Sequence, residues 1–283
     1  MIHKPSNEVN IVVYLDYSSV TQISELEYRC MSRLSSIAKS NMDINVYAIT
    51  DLVSCSALDY MTKLSATELK NYVSESLSYS GLPSRIKIKP NHYADYVAYH
   101  PIDILRDVYG IHVASVLKLD TDYFLTSKYV LRDLFNLEMS FIGTDYGFKP
   151  SYNVPLPNVF RNAHAIYESM HDKLEISNDH FIECLIDSND NNHYTATGPY
   201  LLNKYYKDAY KLESFVPCTL NPGLLQSWSP PTLIRVKLDP GALGVHLQSS
   251  QVKDAGYQLV NSCNSIKLVG DYIELLFTKG EDK

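Results

Sequence analysis

Two aspartates one residue apart, Asp120-Thr121-Asp122, follow the run Ser115-Val116-Leu117-Lys118-Leu119 and precede Tyr123-Phe124-Leu125. These apolar, β-prone flanks predict a buried strand with two carboxylates at its carboxyl end. An ionised carboxylate beside a core is costly unless something compensates it. Residues i and i+2 of a strand point the same way, so both carboxylates can reach one hard cation. A divalent metal that takes phosphate oxygens as its other ligands is the natural occupant. Such a metal stabilises a leaving diphosphate, which is the chemistry that transfer from a nucleotide sugar needs.

Three further groups bear on the same chemistry. Asp103 and Arg106 are three residues apart in Asp103-Ile104-Leu105-Arg106, so on a helix they share a face. They form either a surface ion pair of little worth or a grip on sugar hydroxyls and phosphate. Thr197-Gly198-Pro199 starts a helix, with Pro199 suited to its first turn. The same tripeptide can bring backbone and the Thr197 hydroxyl close to a substrate. His246 lies in the glycine-containing stretch Gly241 to Gln248. Neutral imidazole is a good third ligand for manganese beside two carboxylates.

The elements that must position these residues alternate through the first half of the chain. Ile11 to Leu15 reads as a buried strand ending at Asp16. A capping-box pattern at Ser19-Val20-Thr21-Gln22 then opens a helix whose apolar face includes Cys30, Leu34 and Ile37. Ile44 to Ile49 reads as a second strand, ending at Asp51. Ser65-Ala66-Thr67-Glu68 caps a helix that Gly81 and Pro83 stop. Arg85 to Lys89 alternates as a third strand, and a helix spans Ile102 to Tyr109 before Gly110. This order predicts an α/β fold, a mainly parallel central sheet with helices on both faces. In such sheets ligands gather outside the carboxyl ends of the strands, where Asp16, Asp51 and Asp120 all fall.

The second half is less regular. Ser140 to Asp145 reads as a strand, Asn158 to Leu174 and Asn178 to Ile186 as helices, and Asp187 to Asn192 as a polar loop. Pro217 to Gly244 is rich in proline and glycine and reads as irregular. The apolar tail Ile266 to Phe277 is either a strand pair or a docking helix.

Composition narrows the function classes. The 283 residues are 45% hydrophobic and 20% charged, which is globular. A net charge of −7 argues against a nucleic-acid partner held by phosphate neutralisation. Five widely spaced cysteines show no zinc pattern and suit a reducing compartment. With 23 tyrosines against one tryptophan, any aromatic platform for sugars or bases falls mainly to tyrosine. No apolar run is long enough for a transmembrane segment, and none suits a signal peptide. The expected setting is cytoplasmic, at the inner face of a membrane that carries lipid-linked acceptors. The apolar tail could also serve a homo-oligomer interface.

The succession Asp103-x-x-Arg106, Tyr109-Gly110, an apolar strand into Leu119-Asp120-x-Asp122, and a later Thr197-Gly198-Pro199 resembles the DxD-motif sugar transferases. The closest pattern is the family of the yeast initiating α-1,6-mannosyltransferase and the clostridial glucosylating toxins. Leu119-Asp120-Thr121-Asp122 also resembles the galactosyltransferase and glycogenin family, where a late histidine completes the metal site. The resemblance implies a GT-A fold over residues 1–250, with residues 251–283 a C-terminal docking segment of the same domain. It implies a UDP- or GDP-sugar donor and Mn²⁺ or Mg²⁺ on Asp120, Asp122 and His246. Tyr14, Asp16 and Asp51 would sit near base and ribose, Thr121, Thr197 and Gly198 beside the donor, and Asp103 and Arg106 on its sugar. The acceptor would be a glycan or a glycolipid in surface polysaccharide synthesis. The relatives retain anomeric configuration and need no dedicated base. An inverting enzyme would need a carboxylate near the acceptor, with Asp145 and Asp187 as candidates. Two other readings stand beside this one. A haloacid-dehalogenase-type phosphatase or phosphotransferase also places Asp-x-Asp after a strand, but Phe124 fills a position that is usually Thr or Val there. A non-catalytic carbohydrate-binding protein could keep the transferase fold.

Overall fold

The computed structural model describes residues 8–15, 23–113, 115–126, 141–144, 166–168, 178–190, 215–216, 218–220, 232–238, 244–246 and 263–277. In chain order the first elements are β1 (Val9–Tyr14), α1 (Glu25–Lys39), β2 (Ile44–Ile49), β3 (Thr62–Leu64), α2 (Ala66–Tyr79), α3 (Pro90–Tyr99), α4 (Pro101–Asp107), β4 (Ser115–Leu119) and β5 (Tyr123–Leu125). Then follow β6 (Phe141–Thr144), β7 (Ile166–Glu168), α5 (Asn178–Asp190), β8 (Phe215–Val216), β9 (Cys218–Leu220), β10 (Thr232–Lys237), β11 (Gly244–His246), β12 (Cys263–Val269) and β13 (Tyr272–Phe277).

Every residue of β1 is buried. Its side chains alternate between two cores. Val9, Ile11 and Val13 pack with Leu26, Cys30, Met31 and Leu34 of α1. Val12 and Tyr14 pack with Leu69, Val73, Val97, Ile104 and Phe181 of the other helices. A strand covered on both faces reads as a continuous apolar run and belongs at the centre of a parallel sheet. β1 indeed lies between β2 and β4 and runs parallel to both. β3 adds to β2 in parallel, giving the parallel order β3-β2-β1-β4. The sheet continues through β7, antiparallel to β4, then β6 and β8. The alternating sequence thus folds as the α/β class it predicts, with helices on both faces of the parallel part.

Local chemistry accounts for the helix ends. Ser24 caps α1 and accepts from the Glu27 amide at 3.3 Å, while Glu25 and Glu27 sit in the first turn. Acidic residues there complement the helix dipole. Ser65 caps α2 in the same way, accepting from Glu68 N at 3.3 Å. Beyond α2 and α4 stand Gly81 and Gly110, with φ of 95° and 67°, where only glycine is comfortable.

Several elements differ from the sequence reading. The cap of α1 is Ser24, five residues after Ser19, and residues 16–22 lie outside the described set. Arg85 to Lys89 forms no strand. The edge of β2 is taken by Thr62–Leu64, and the segment serves instead as the approach to α3. Pro83 accepts a turn bond from Ile86, and Lys89 N donates to His92 Nδ1 at 3.1 Å. Pro90 then starts α3 at its first position. Within Asn158 to Leu174, Ile166–Glu168 is a strand, because pairing with β4 and β6 overrides local helical pattern. The proline-rich stretch Pro217 to Gly244 contains β9 and β10. Asp187 lies within α5 and not in a loop. The tail forms the β12–β13 hairpin, turned at Gly270 with φ of 59° and joined by β10.

Candidate functional site

Sheet topology fixes where a ligand can sit. From β1 the chain reaches β2 through α1 on one face. It returns to the other side of β1 as β4 by way of α2, α3 and α4 on the opposite face. The carboxyl ends of β1 and β4 therefore form a topological switch point, the usual crevice of an open α/β sheet. Val13 pairs with Leu119, so Tyr14 and Asp120 are the next positions along two adjacent strands.

At this point β4 gives way to the turn Asp120-Thr121-Asp122, closed by a Tyr123 N–H to Asp120 carbonyl bond of 3.2 Å. Asp122 is 7% exposed and Tyr123 and Phe124 are buried behind it. The buried Lys118 ammonium, two residues earlier on the same side of β4, forms an ion pair with Asp120 Oδ1. Thr121 points to α1: its hydroxyl donates to Glu27 Oε1 at 2.9 Å. The other Glu27 oxygen accepts from Ser24 Oγ at 2.6 Å, and Glu27 is only 5% exposed. One turn along α1, burial pushes the Cys30 thiol well above its ordinary value, and the charges of Asp122, Cys263 and Glu27 push it further.

The long-range contribution is β11. It runs antiparallel to β5 with Gly244 opposite Leu125, Val245 opposite Phe124 and His246 opposite Tyr123. The backbone of His246 therefore lies one position from Asp122, although 124 residues separate them in sequence. Its side chain is outside the described set. Gly244 makes this approach possible. A Cβ there would stand 2.4 Å from the Phe124 carbonyl oxygen and 2.5 Å from Tyr123 Cε1.

Carboxylate oxygens with a neighbouring imidazole position suit a hard divalent cation such as Mg²⁺ or Mn²⁺. Among the described residues, no three His, Cys, Asp or Glu side chains are gathered as a metal cage.

The remaining sequence-derived candidates fall as follows. Asp51 follows β2, and its carboxylate accepts from Ser65 Oγ at 3.1 Å, Thr67 N at 3.3 Å and Thr67 Oγ1 at 2.8 Å. It anchors the start of α2. Partial burial works to raise its pKa, but hydrogen bonds from Thr67, Ser65 and the Ala66 amide bring it below the ordinary value. Arg106 pairs with Asp103 at 2.7 Å and with Asp107 at 2.6 Å, on a side of α4 where its side chain is 42% exposed. The structure brings Tyr14, Asp120, Thr121, Asp122 and the His246 backbone together and spends Asp51, Asp103 and Arg106 on local partners. Asp16, Asp145, Thr197 and Gly198 lie outside the described residues. Glu27 and Lys118 were not among the sequence candidates. The pattern Ser24-x-x-Glu27 was the available signal for Glu27, and the i−2 relation to Asp120 was the signal for Lys118.

No family model matches the chain, and no curated protein does. Solved structures with a similar arrangement include glycosyltransferases. GlyE of Streptococcus pneumoniae TIGR4 is 14% identical with a TM-score of 0.39 over 72% of this chain. The chain spans 44% of GlyE. The galactosyltransferase LgtC, in complex with donor and acceptor sugar analogues, is 11% identical with a TM-score of 0.41. That match covers 69% of this chain and 70% of LgtC. Likenesses at this level leave the chemistry to be argued from the site. Among the described residues no helix is long and apolar enough to cross a membrane.

Proposed function

We propose that this chain is a metal-dependent glycosyltransferase of GT-A type that moves a sugar from a UDP- or GDP-linked donor to a glycan or lipid-linked acceptor. The reading is carried by one observation: the carboxylate pair of Asp120 and Asp122 ends a strand at the switch point, and β11 brings the His246 backbone alongside. Asp120, Asp122 and His246 would hold Mn²⁺ or Mg²⁺. The bound ion supplies Lewis-acid stabilisation of the leaving nucleoside diphosphate.

The chain's own residues do the rest. Lys118 fixes the orientation of Asp120 through their ion pair. Leu119, Tyr123 and Phe124 keep water from the inner side of the turn. Tyr14 ends β1 next to the crevice, its ring packed into the core beneath, and Asp16 would lie near base and ribose. Use of Asp103 and Arg106 on the donor sugar requires Arg106 to exchange its contacts with Asp103 and Asp107 for the ligand. Thr197 and Gly198 would line the donor, transfer would proceed with retention, and Asp145 is the carboxylate to test if it inverts. A cytoplasmic role in surface polysaccharide synthesis completes the reading.

The test is a thermal-shift screen of UDP- and GDP-sugars with and without Mn²⁺. A donor that binds the native state at a hundred times its Kd stabilises by about 2.7 kcal/mol. The stabilisation should need metal and donor together and should vanish in Asp122→Ala. If no nucleotide sugar shifts the wild-type midpoint in the presence of Mn²⁺, the proposal fails.

A further inference from the structure

Glu27 is 94 residues from Thr121 of the Asp120-Thr121-Asp122 turn, yet the two are joined by a partly buried hydrogen bond. Its carboxylate divides between two elements: Oε2 accepts from Ser24 Oγ at 2.6 Å and Oε1 accepts from Thr121 Oγ1 at 2.9 Å. Capping α1 explains only the first contact. The Ser24 hydroxyl already accepts from the Glu27 amide, and a capping glutamate is ordinarily free to stay in water. Here it is 5% exposed. A buried carboxylate is an expensive way to end a helix. It is an effective way to hold a turn, because a hydrogen bond to an ionised acceptor is short and directional.

The turn is therefore held on both sides. Lys118 fixes Asp120 from β4, and Glu27 fixes Thr121 from α1. Thr121 stands between the two aspartates, so its backbone, held through the hydroxyl, sets the angle between the two neighbouring side chains. Arg33 extends the same connection, with Nε donating to the Leu125 carbonyl at 3.3 Å and Nη2 to that of Thr126 at 3.1 Å.

We propose that Glu27 is a positioning residue of the metal centre: through the Thr121 hydroxyl it presets Asp120 and Asp122 for a divalent cation. The inference rests on the metal-centre reading above and adds to it a residue from a different element. Partners behind metal ligands commonly alter affinity by about ten- to a hundredfold.

The experiment titrates the full chain with Mn²⁺ alone, following the free-ion paramagnetic resonance signal, and records thermal midpoints in parallel. Thr121→Val removes the hydroxyl at nearly constant shape and should weaken Mn²⁺ binding about tenfold. Thr121→Ser restores the donor and should return affinity close to wild type. Glu27→Gln should weaken binding by a similar factor, and the Glu27→Gln/Thr121→Val double variant should be no worse than the weaker single one. A purely structural Glu27 would lower the midpoint and leave the affinity of the folded protein unchanged. Wild-type Mn²⁺ affinity in folded Thr121→Val overturns the proposal and leaves the metal centre standing. Wild-type protein that takes up no Mn²⁺ overturns the preset site, while the transferase reading is decided by the thermal-shift screen with donor present.

Discussion

Gly244→Ala tests the contact on which the third ligand depends. The added Cβ would meet the Phe124 carbonyl oxygen at 2.4 Å and Tyr123 Cε1 at 2.5 Å. An ordinary carbon–oxygen contact lies at about 3.3–3.6 Å, so β11 must retreat by about 1 Å. Neither neighbour can give way easily. One is backbone within the β5–β11 ladder, and the other is the ring of a tyrosine that is 1% exposed. Overpacking of this kind costs about 1–3 kcal/mol. At about 2–4 °C per kcal/mol for a chain of this order, the thermal midpoint should fall by about 2–12 °C. Two residues further along the same strand is His246, so retreat of β11 also carries the His246 backbone away from the Asp120-Thr121-Asp122 turn. Differential scanning fluorimetry gives the midpoint, and titration with Mn²⁺ gives the second effect, a loss of affinity of about tenfold. A variant with both wild-type midpoint and wild-type Mn²⁺ affinity would refute the placement of β11 against β5.

Other consequences concern stability. His92 is 3% exposed, and burial, with the Lys89 charge, lowers its pKa from 6.5 to about 4. The unfolded chain takes the proton first, so stability present above pH 6.5 declines as pH falls toward 4, by up to about 3 kcal/mol. Urea midpoints at pH 7 and pH 5 should show this slope, and His92→Gln, which keeps an acceptor for the Lys89 amide, should flatten it. Asp51→Ala removes the acceptor for Thr67 and Ser65 at the start of α2 and should cost about 1 kcal/mol at pH 7, read by chemical denaturation. Because the Asp51 carboxyl titrates below its ordinary value, that difference is complete at neutral pH. It should close as pH falls below 3.8 through the native pKa, and an unchanged difference at pH 2 would contradict the assignment.

Much of the first half was legible because its signals are local. An unbroken apolar run marks a strand covered on both faces, and β1 is such a strand. Ser65 with Glu68, and Gly81 and Gly110 at positive φ, mark helix ends through contacts within a few residues. The same locality misled at Arg85 to Lys89. Its alternation is β-like, but a strand needs a free edge, and Thr62–Leu64 occupies the one beside β2. It misled again where Ile166–Glu168 was read within a helix, since two neighbouring strands decide that segment.

By itself the sequence determined the α/β order and the carboxylate pair at the end of an apolar strand. Both follow from periodicity and from the cost of placing charge beside a core. Only the tertiary structure decided what stands around that pair. Strand pairing set the switch point between β1 and β4 and brought His246 opposite Tyr123. Helix packing delivered Glu27 to Thr121. These partners lie roughly a hundred residues away, and nothing in a local window encodes register. It emerges when the sheet, the α1 face and the close approach at Gly244 are satisfied together.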